Sequence, residues 1–316
     1  MTQPLNYCTQ ALETIHMLAY DKKFQGNEAR ALAMEARDIA GLIHHAEKFI
    51  LPDWGRIFTS QEWDTLRDLK VATRLPYPIV ALEYPCDYEG TNNFDARYEA
   101  KSSKRISLCA ETEAVQEFAP YLWHLHEAHF TDNPQPGFYV IPVVYSDDAN
   151  IWLPPPAASF FYRTEDNLLQ DNRSQFCIFP FGQAAYSKYP VEERDRRMQR
   201  DLADEMIAIT HTLTALSIDR HGSYQTIPVN ESVNRKRLRK GKKPLFEYKV
   251  LDIVADVMDP VHGKSHRHTG PHSSPRMHKR RGHIRRLGSG QRIWIRDTIV
   301  GKPGQGRIVK DYSVHE

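Results

Sequence analysis

The chain has 316 residues, of which 41% are apolar and 26% charged. That balance excludes a wholly disordered polymer, and no apolar run reaches the roughly 18 residues a membrane-spanning helix needs. The formal net charge of +2 conceals a division: residues 231–316 carry 21 Lys/Arg against 8 Asp/Glu, a net of +13, while residues 1–230 carry a net of −11. An acidic body joined to a basic end points to a polyanionic partner, most often nucleic acid.

The N-terminus, Met1-Thr2-Gln3-Pro4, is not a basic region followed by an apolar stretch, so no secretory leader is predicted. Cys8, Cys86, Cys109 and Cys177 are widely spaced and form no C-x-x-C pair, which points to reduced thiols acting as small core residues in a cytosolic protein.

In chain order, residues 1–75 read as a helical region. Leu32, Ala36, Ile39, Ile43, Ala46 and Ile50 recur at three- and four-residue steps and predict a helix over 27–50 with Asn27 as N-cap. Thr59 and Glu62 stand at capping-box spacing before Trp63, Leu66 and Leu69. Residues 76–225 read as a mixed α/β core. Ile79–Tyr84, Arg105–Cys109, Phe138–Tyr145, Ala158–Tyr162 and Phe176–Phe179 are strand candidates. Pro142 demotes its run to an edge or bulged strand, Leu153-Pro154-Pro155-Pro156 is extended, and Asp87–Lys104 reads as a polar loop. Met198, Leu202, Met206, Ile209, Leu213 and Leu216 line one face of a long helix over 191–218, whose early charges form a solvated surface.

Residues 226–316 form a basic C-terminal region. Leu245–Val254 reads as a strand and 260–275 as a hinge. A small meander follows, with strands at His283–Leu287, Gln291–Ile299 and Arg307–Val314 and a turn at Gly288-Ser289-Gly290. The predicted class is therefore α+β: a helical N-terminal part, an irregular antiparallel β middle, a long helix and a small C-terminal antiparallel β unit.

Two basic segments carry the candidate chemistry. Arg235–Lys243 holds seven basic residues in nine, and Pro271–Arg286 mixes Arg, Lys and His with little acid. Guanidinium groups bind phosphate through paired donors, and histidine donates to phosphate or stacks on bases. Arg235, Arg237, Lys240, Arg276, His278, Arg280, Arg281, His283 and Arg285 are the predicted nucleic-acid contacts, with Trp294 as a stacking surface and Tyr312 as its alternative.

Six histidines between 262 and 283 have irregular spacing and no nearby Cys, Asp or Glu set, so no metal site is predicted and no cofactor is implied. His124, His126 and His129 with Glu127 form H-x-H-E-x-x-H, which lacks the metalloprotease order. Gly301–Gly306 lacks the P-loop ending and reads as a loop between strands. His44 and His45 diverge on a helix and read as non-catalytic. No nucleophile elbow or catalytic triad is visible.

Leu75-Pro76-Tyr77-Pro78-Ile79-Val80-Ala81-Leu82-Glu83-Tyr84, Val233–Leu245 and the ending carry a resemblance. In the ending the shared residues are Ser274-Pro275-Arg276, His278, Arg280-Arg281-Gly282-His283, Gly290, Trp294, Val300-Gly301 and Lys310-Asp311-Tyr312. With these the chain resembles a group of accessory proteins encoded by tailed bacteriophages and prophages of proteobacteria, loosely before residue 70 and through 87–230, tightly after 233. The resemblance implies a source and a place of action, the cytoplasm of an infected bacterium. It carries over no catalytic residue.

Three functions follow as expectations: nucleic-acid binding through the basic third; inhibition of a host or anti-phage defence protein; and metal-independent RNA cleavage with His278 and His283 as acid and base, assisted by Arg280 or Arg281. No membrane partner is expected.

Overall fold

The structure, a computed structural model, describes residues 4–20, 26–66, 74–87, 102–129, 136–163, 174–218, 223–252, 276–280, 283–286, 292–295, 298–300 and 302–307. The protein has an α+β fold of N-terminal helices, a mixed nine-stranded sheet and a long helix.

Helices α1 (Tyr7–Tyr20) and α2 (Asn27–His45) come first, followed by β1 (Glu47–Ile50), a 3-10 turn at Asp53–Gly55 and the short α3 (Ser60–Leu66). The meander β2 (Ile79–Pro85), β3 (Lys104–Glu111) and β4 (Gly137–Ser146) is antiparallel, with α4 (Thr112–Phe118) and α5 (Pro120–His129) between β3 and β4. Strands β5 (Ile151–Leu153), β6 (Ala157–Tyr162) and β7 (Ser174–Ile178) extend it on one side. Helices α6 (Pro180–Tyr186) and α7 (Val191–Ile218) follow, then β8 (Ser223–Ile227), α8 (Glu231–Arg239) and β9 (Tyr248–Asp252). The main path through the sheet is β7-β6-β4-β3-β2-β1-β9-β8, with β5 paired to β4 beside it.

Both faces of this sheet are covered, which explains the apolar run at 79–82. Ile79 and Ala81 pack with Cys8, Ile15, Ile39 and Ile43 of α1 and α2. Val80, Leu82 and Tyr84 pack on the other face with Ala208, Ile209 and Leu213 of α7. All four cysteines are free and buried, as small core residues.

Several expectations meet corrections. The helix predicted to Ile50 ends at His45, and Glu47–Ile50 is a strand parallel to both β2 and β9. The sheet is therefore mixed, not purely antiparallel. Lys48 supplies a reason for the break: its ammonium donates to the carbonyls of His44 (3.2 Å) and Ala46 (2.5 Å), satisfying acceptors that the ended helix leaves open. Asn27 is not the N-cap; Gly26 is, at φ 95° and without a side-chain bond.

Pro142 lies in a central strand. It faces Ser107 on β3, but on the other side it falls between the residues paired to β6 and those paired to β5, where a missing N–H breaks no ladder. The capping box forms as expected: the Thr59 amide donates to Glu62 Oε2 (2.8 Å) and the Glu62 amide to Thr59 Oγ1 (3.3 Å). The long helix is present over its expected span.

The C-terminal strands differ from a three-stranded meander. One small sheet joins β10 (Arg276–Arg280) to β13 (Thr298–Val300) and β14 (Lys302–Arg307); another pairs β11 (His283–Arg286) with β12 (Arg292–Ile295). Lys302–Arg307 is thus a strand rather than a loop, and the run expected over 291–299 is divided between β12 and β13. The expected hinge at 260–275, most of the polar loop at 87–104 and the strand expected beyond Arg307 lie outside the described residues.

Gly55 marks a tight point of the body. It sits at φ +65°, and an added Cβ would come within 2.7 Å of Ala208 Cβ on α7. Gly55→Ala is expected to lose about 2–4 kcal/mol in urea unfolding, combining left-handed backbone strain with overpacking. Gly26→Ala, at φ +95° with nothing within 4 Å, is expected to lose only the strain, about 1–2 kcal/mol. Equal losses at the two sites would contradict the packing argument.

Candidate nucleic-acid interface

The basic segment at 231–243 forms helix α8 over Glu231–Arg239 and a turn beyond it, in the connection between β8 and β9 at one edge of the main sheet. Its start is conventional: Asn230 caps it, the side-chain oxygen accepting from the Ser232 amide at 2.9 Å. Its last turn holds Lys236, Arg237 and Arg239, where cations complement the carbonyl end of the helix dipole.

Helical geometry then sorts the side chains. Asn234 and Arg237, three residues apart, turn toward the body. The Asn234 amide makes two bonds to the backbone of Leu245, donating to its carbonyl (2.9 Å) and accepting from its N–H (2.8 Å). The Arg237 guanidinium donates to the Lys243 carbonyl (2.8 Å) and to Glu13 Oε1 of α1 (3.2 Å). Thr9 of α1 holds the same connection by donating from its hydroxyl to the Pro244 carbonyl at 2.9 Å.

Arg235, Lys236, Arg239 and Lys240 occupy the outward arc, and all four are exposed, as is Lys242. Among the described residues none of these five side chains has a hydrogen bond or ion pair. The arc is a strip of fixed positive charge with its donors free for a ligand.

The predicted contact residues thus divide. Arg235 and Lys240 are outward and exposed. Arg237 is half-buried, and its guanidinium pairs with Glu13 and with the Lys243 carbonyl, contacts that help to orient the helix. Arg276, His278 and Arg280 lie on β10, with His278 opposite Val300; His283 and Arg285 lie on β11; Trp294 lies on β12, opposite Ile284. Arg281 and Tyr312 are outside the described residues. His278 and His283 belong to strands of two different small sheets. Lys236, Arg239 and Lys242 belong to the same candidate segment but were not singled out in it; the structure places them on the exposed side with Arg235 and Lys240.

The other basic residue of this third that the sheet places, Lys249, turns inward. It is buried and pairs with Glu47, with Glu247 at 3.9 Å and the Tyr77 ring at 5.1 Å.

The histidines outside the basic third have other settings. His124 is exposed on α5. His45 stacks on Phe118 with 4.2 Å between ring centroids, and His44 meets it edge-on. His211 of α7 is buried beneath Trp63, its Nδ1 accepting from the amides of Ile57 (3.2 Å) and Phe58 (3.3 Å). Burial, then Arg56, brings its pKa down to about 4, so it stays neutral and acts as a packing acceptor.

Among the described residues no group of three or more His, Cys, Asp or Glu is placed to hold a metal ion, and no helix is long and apolar enough to cross a membrane. No family model matches the chain, and neither a curated protein nor a solved structure does.

Proposed function

We propose that the protein is a phage accessory protein that binds nucleic acid through its basic C-terminal third, in the cytoplasm of the infected host. The outward cation strip of α8 carries this reading: four cations on two adjacent turns, without acidic partners among the described residues, on a helix whose orientation is fixed by Asn234 and Arg237. Arg276, Arg280, Arg281 and Arg285, with His278 and His283, extend the cationic surface in this reading, and Trp294 supplies a stacking plane.

Each phosphate neutralised releases condensed counterions, so affinity falls with salt in proportion to the number of contacts. The four α8 cations would contribute about −3.6 to the slope of log affinity against log salt on duplex DNA. Replacing Arg235, Lys236, Arg239 and Lys240 together with alanine is expected to reduce the slope by that amount and the affinity at 50 mM salt by at least about tenfold. No residue of α8 is buried, so the fold is expected to survive, which circular dichroism checks. Unchanged binding by the variant, or no binding by the wild type at 50 mM salt, overturns the reading.

A host or defence protein as the target has one observation in its favour. Leu238 and Val233 are exposed on the same helix, Leu238 to 59%. A bound host protein retained after nuclease treatment of the lysate, and lost on Leu238→Asp, would favour that reading.

A further inference from the structure

The positive surface does not end with α8. Beyond Arg239 the chain turns back past the exposed Lys242 and the half-buried Lys243, whose carbonyl accepts from Arg237, and reaches Phe246. There it lies against the last turn of α2. The Lys48 ammonium sits 3.7 Å from the centre of the Phe246 ring, and the His44 ring meets that ring edge-on at 6.2 Å between centroids. His44 and His45 are both exposed and stand edge-on to each other at 5.2 Å. Two imidazoles thus occupy the surface where the basic connection joins the body.

A histidine in the last turn of a helix ordinarily gains from the carbonyl end of the dipole, which favours its charged form. Here Lys48 already holds that end, its ammonium donating to the His44 and Ala46 carbonyls at 3.2 and 2.5 Å. The carboxylates of the adjoining strands are turned elsewhere: Glu47 and Glu247 face Lys249. Among the described residues neither imidazole has an acidic partner or a hydrogen bond. The charged groups that bear on His44 are His45 on its own helix, Lys48 on β1 and Lys243 beyond α8, all of them basic. Partial burial, then these three neighbours, lowers its pKa from the ordinary histidine value, so the ring is neutral at pH 7. His44 is accessible to protons and lacks only an anion. A phosphate brought to the cation strip supplies one: it offsets Lys243 and accepts from the imidazolium.

We infer that His44 is a proton-linked phosphate contact: nucleic acid bound along α8 and Lys243 takes up one solvent proton on His44, and binding tightens as the pH falls. The inference rests on the nucleic-acid reading and adds a regulated contact to the same surface. The sign follows from linkage. A group that holds its proton more tightly in the complex favours binding below its free pKa, and the gain is lost as the pH rises through the value in the complex.

The test compares the full-length wild type with His44→Gln, which keeps a polar side chain and cannot be protonated. Dissociation constants are read by fluorescence anisotropy in 50 mM salt at pH 8.0 and pH 5.5. The probes are a 20-base-pair DNA duplex and a 20-nucleotide RNA strand, which separate the two sources of phosphodiester. The quantity read is the ratio of variant to wild-type constants, to which the other histidines of the chain contribute equally. The expected ratio is near one at pH 8.0 and at least about threefold at pH 5.5 on a probe that the wild type binds. A ratio that rises less than threefold between the two pH values overturns the inference while leaving nucleic-acid binding intact. Histidine NMR titration of the wild type, with the His44 signal identified by its loss in the variant, reads the same event directly. The His44 pKa is expected to rise by about one pH unit on saturation with the bound probe. A rise below about half a unit overturns the inference even if the variant binds less well. Absence of wild-type binding to either probe at both pH values is a separate result that removes the parent reading and the inference with it.

Discussion

Arg105→Met is expected to destabilise the protein by about 3–5 kcal/mol, a large fraction of the roughly 5–15 kcal/mol that keeps a typical domain folded. Arg105 lies on β3 at the centre of the sheet, facing α7. Its Nε and Nη2 donate to Glu205 Oε1 (2.8 Å) and Oε2 (3.1 Å), and its Nη1 approaches Asp204 Oδ2 at 3.2 Å. The Tyr84 hydroxyl donates to Glu205 Oε1 (3.1 Å), and Ser107 Oγ donates to the Glu205 carbonyl (3.2 Å). Arg105, Asp204 and Glu205 are all at most 3% exposed.

Burial pushes the Glu205 carboxyl up, and Arg105 pulls it down. The two-pronged contact, with a donor on each oxygen, decides for the carboxylate. Removing the guanidinium would leave the buried Glu205 carboxylate without the cation that holds both its oxygens, which is the expensive half of a buried ion pair. Adding Glu205→Gln to Arg105→Met is expected to recover at least about 1 kcal/mol, because one stranded charge then disappears. Urea midpoints of the wild type, the two single variants and the double variant complete the cycle. A loss below about 1 kcal/mol for Arg105→Met would contradict the assignment of this cluster as the main polar tie between α7 and the sheet.

That cluster shows where reading the sequence stops. The α7 helix was legible because Met198, Leu202, Ile209 and Leu213 repeat one local period across many turns, and the structure buries all four. The Thr59–Glu62 box was legible because both partners sit within one turn. Nothing local announces that Arg105 meets Glu205, or that Glu83 on β2 accepts the first amides of α1. The Tyr7 and Cys8 N–H groups point to its two oxygens at 3.0 and 2.7 Å, and the Tyr248 hydroxyl donates to it at 2.8 Å. Those contacts join residues far apart in the chain, and charge at these positions argues for the surface until the partner is known.

β1 failed for a related reason. Its last residue, Ile50, continues the three- and four-step spacing of α2, and only pairing with β2 and β9 makes the segment a strand. At α8 the charge was visible but its sorting was not. Composition identifies Arg237 and Arg239 as equivalent; helix geometry sends one to Glu13 and the other to solvent.

Glu35 is expected to make the protein lose stability as the pH rises from about 4.5 to about 8, by on the order of 5 kcal/mol in total. It lies on α2 with no exposed surface. Its Oε2 accepts from the Phe181 amide in the first turn of α6 at 3.0 Å, and its Oε1 has no partner among the described residues. Burial pushes its pKa up to about 8, against a smaller downward pull from the Phe181 amide.

One turn on, Asp38 performs the same service for α5, accepting from the amides of Tyr121 (2.7 Å) and Leu122 (3.0 Å). The two acids hold two short helices against α2. Because the folded value of Glu35 lies above the unfolded one, the neutral carboxyl contributes fully below pH 4.5. The contribution is lost progressively up to about pH 8, beyond which both states are ionised and the slope ends.

Glu35→Gln keeps the acceptor for Phe181 and removes the proton. Its side-chain NH2, in the place of Oε1, is left without an acceptor, at a cost of about 1–3 kcal/mol that does not depend on pH. The variant is therefore expected to be less stable than wild type at pH 5 and more stable at pH 8.5, with thermal unfolding curves that cross between. Curves that stay parallel over that range would mean that Glu35 is solvated or paired, and that α6 docks on α2 without the buried acid.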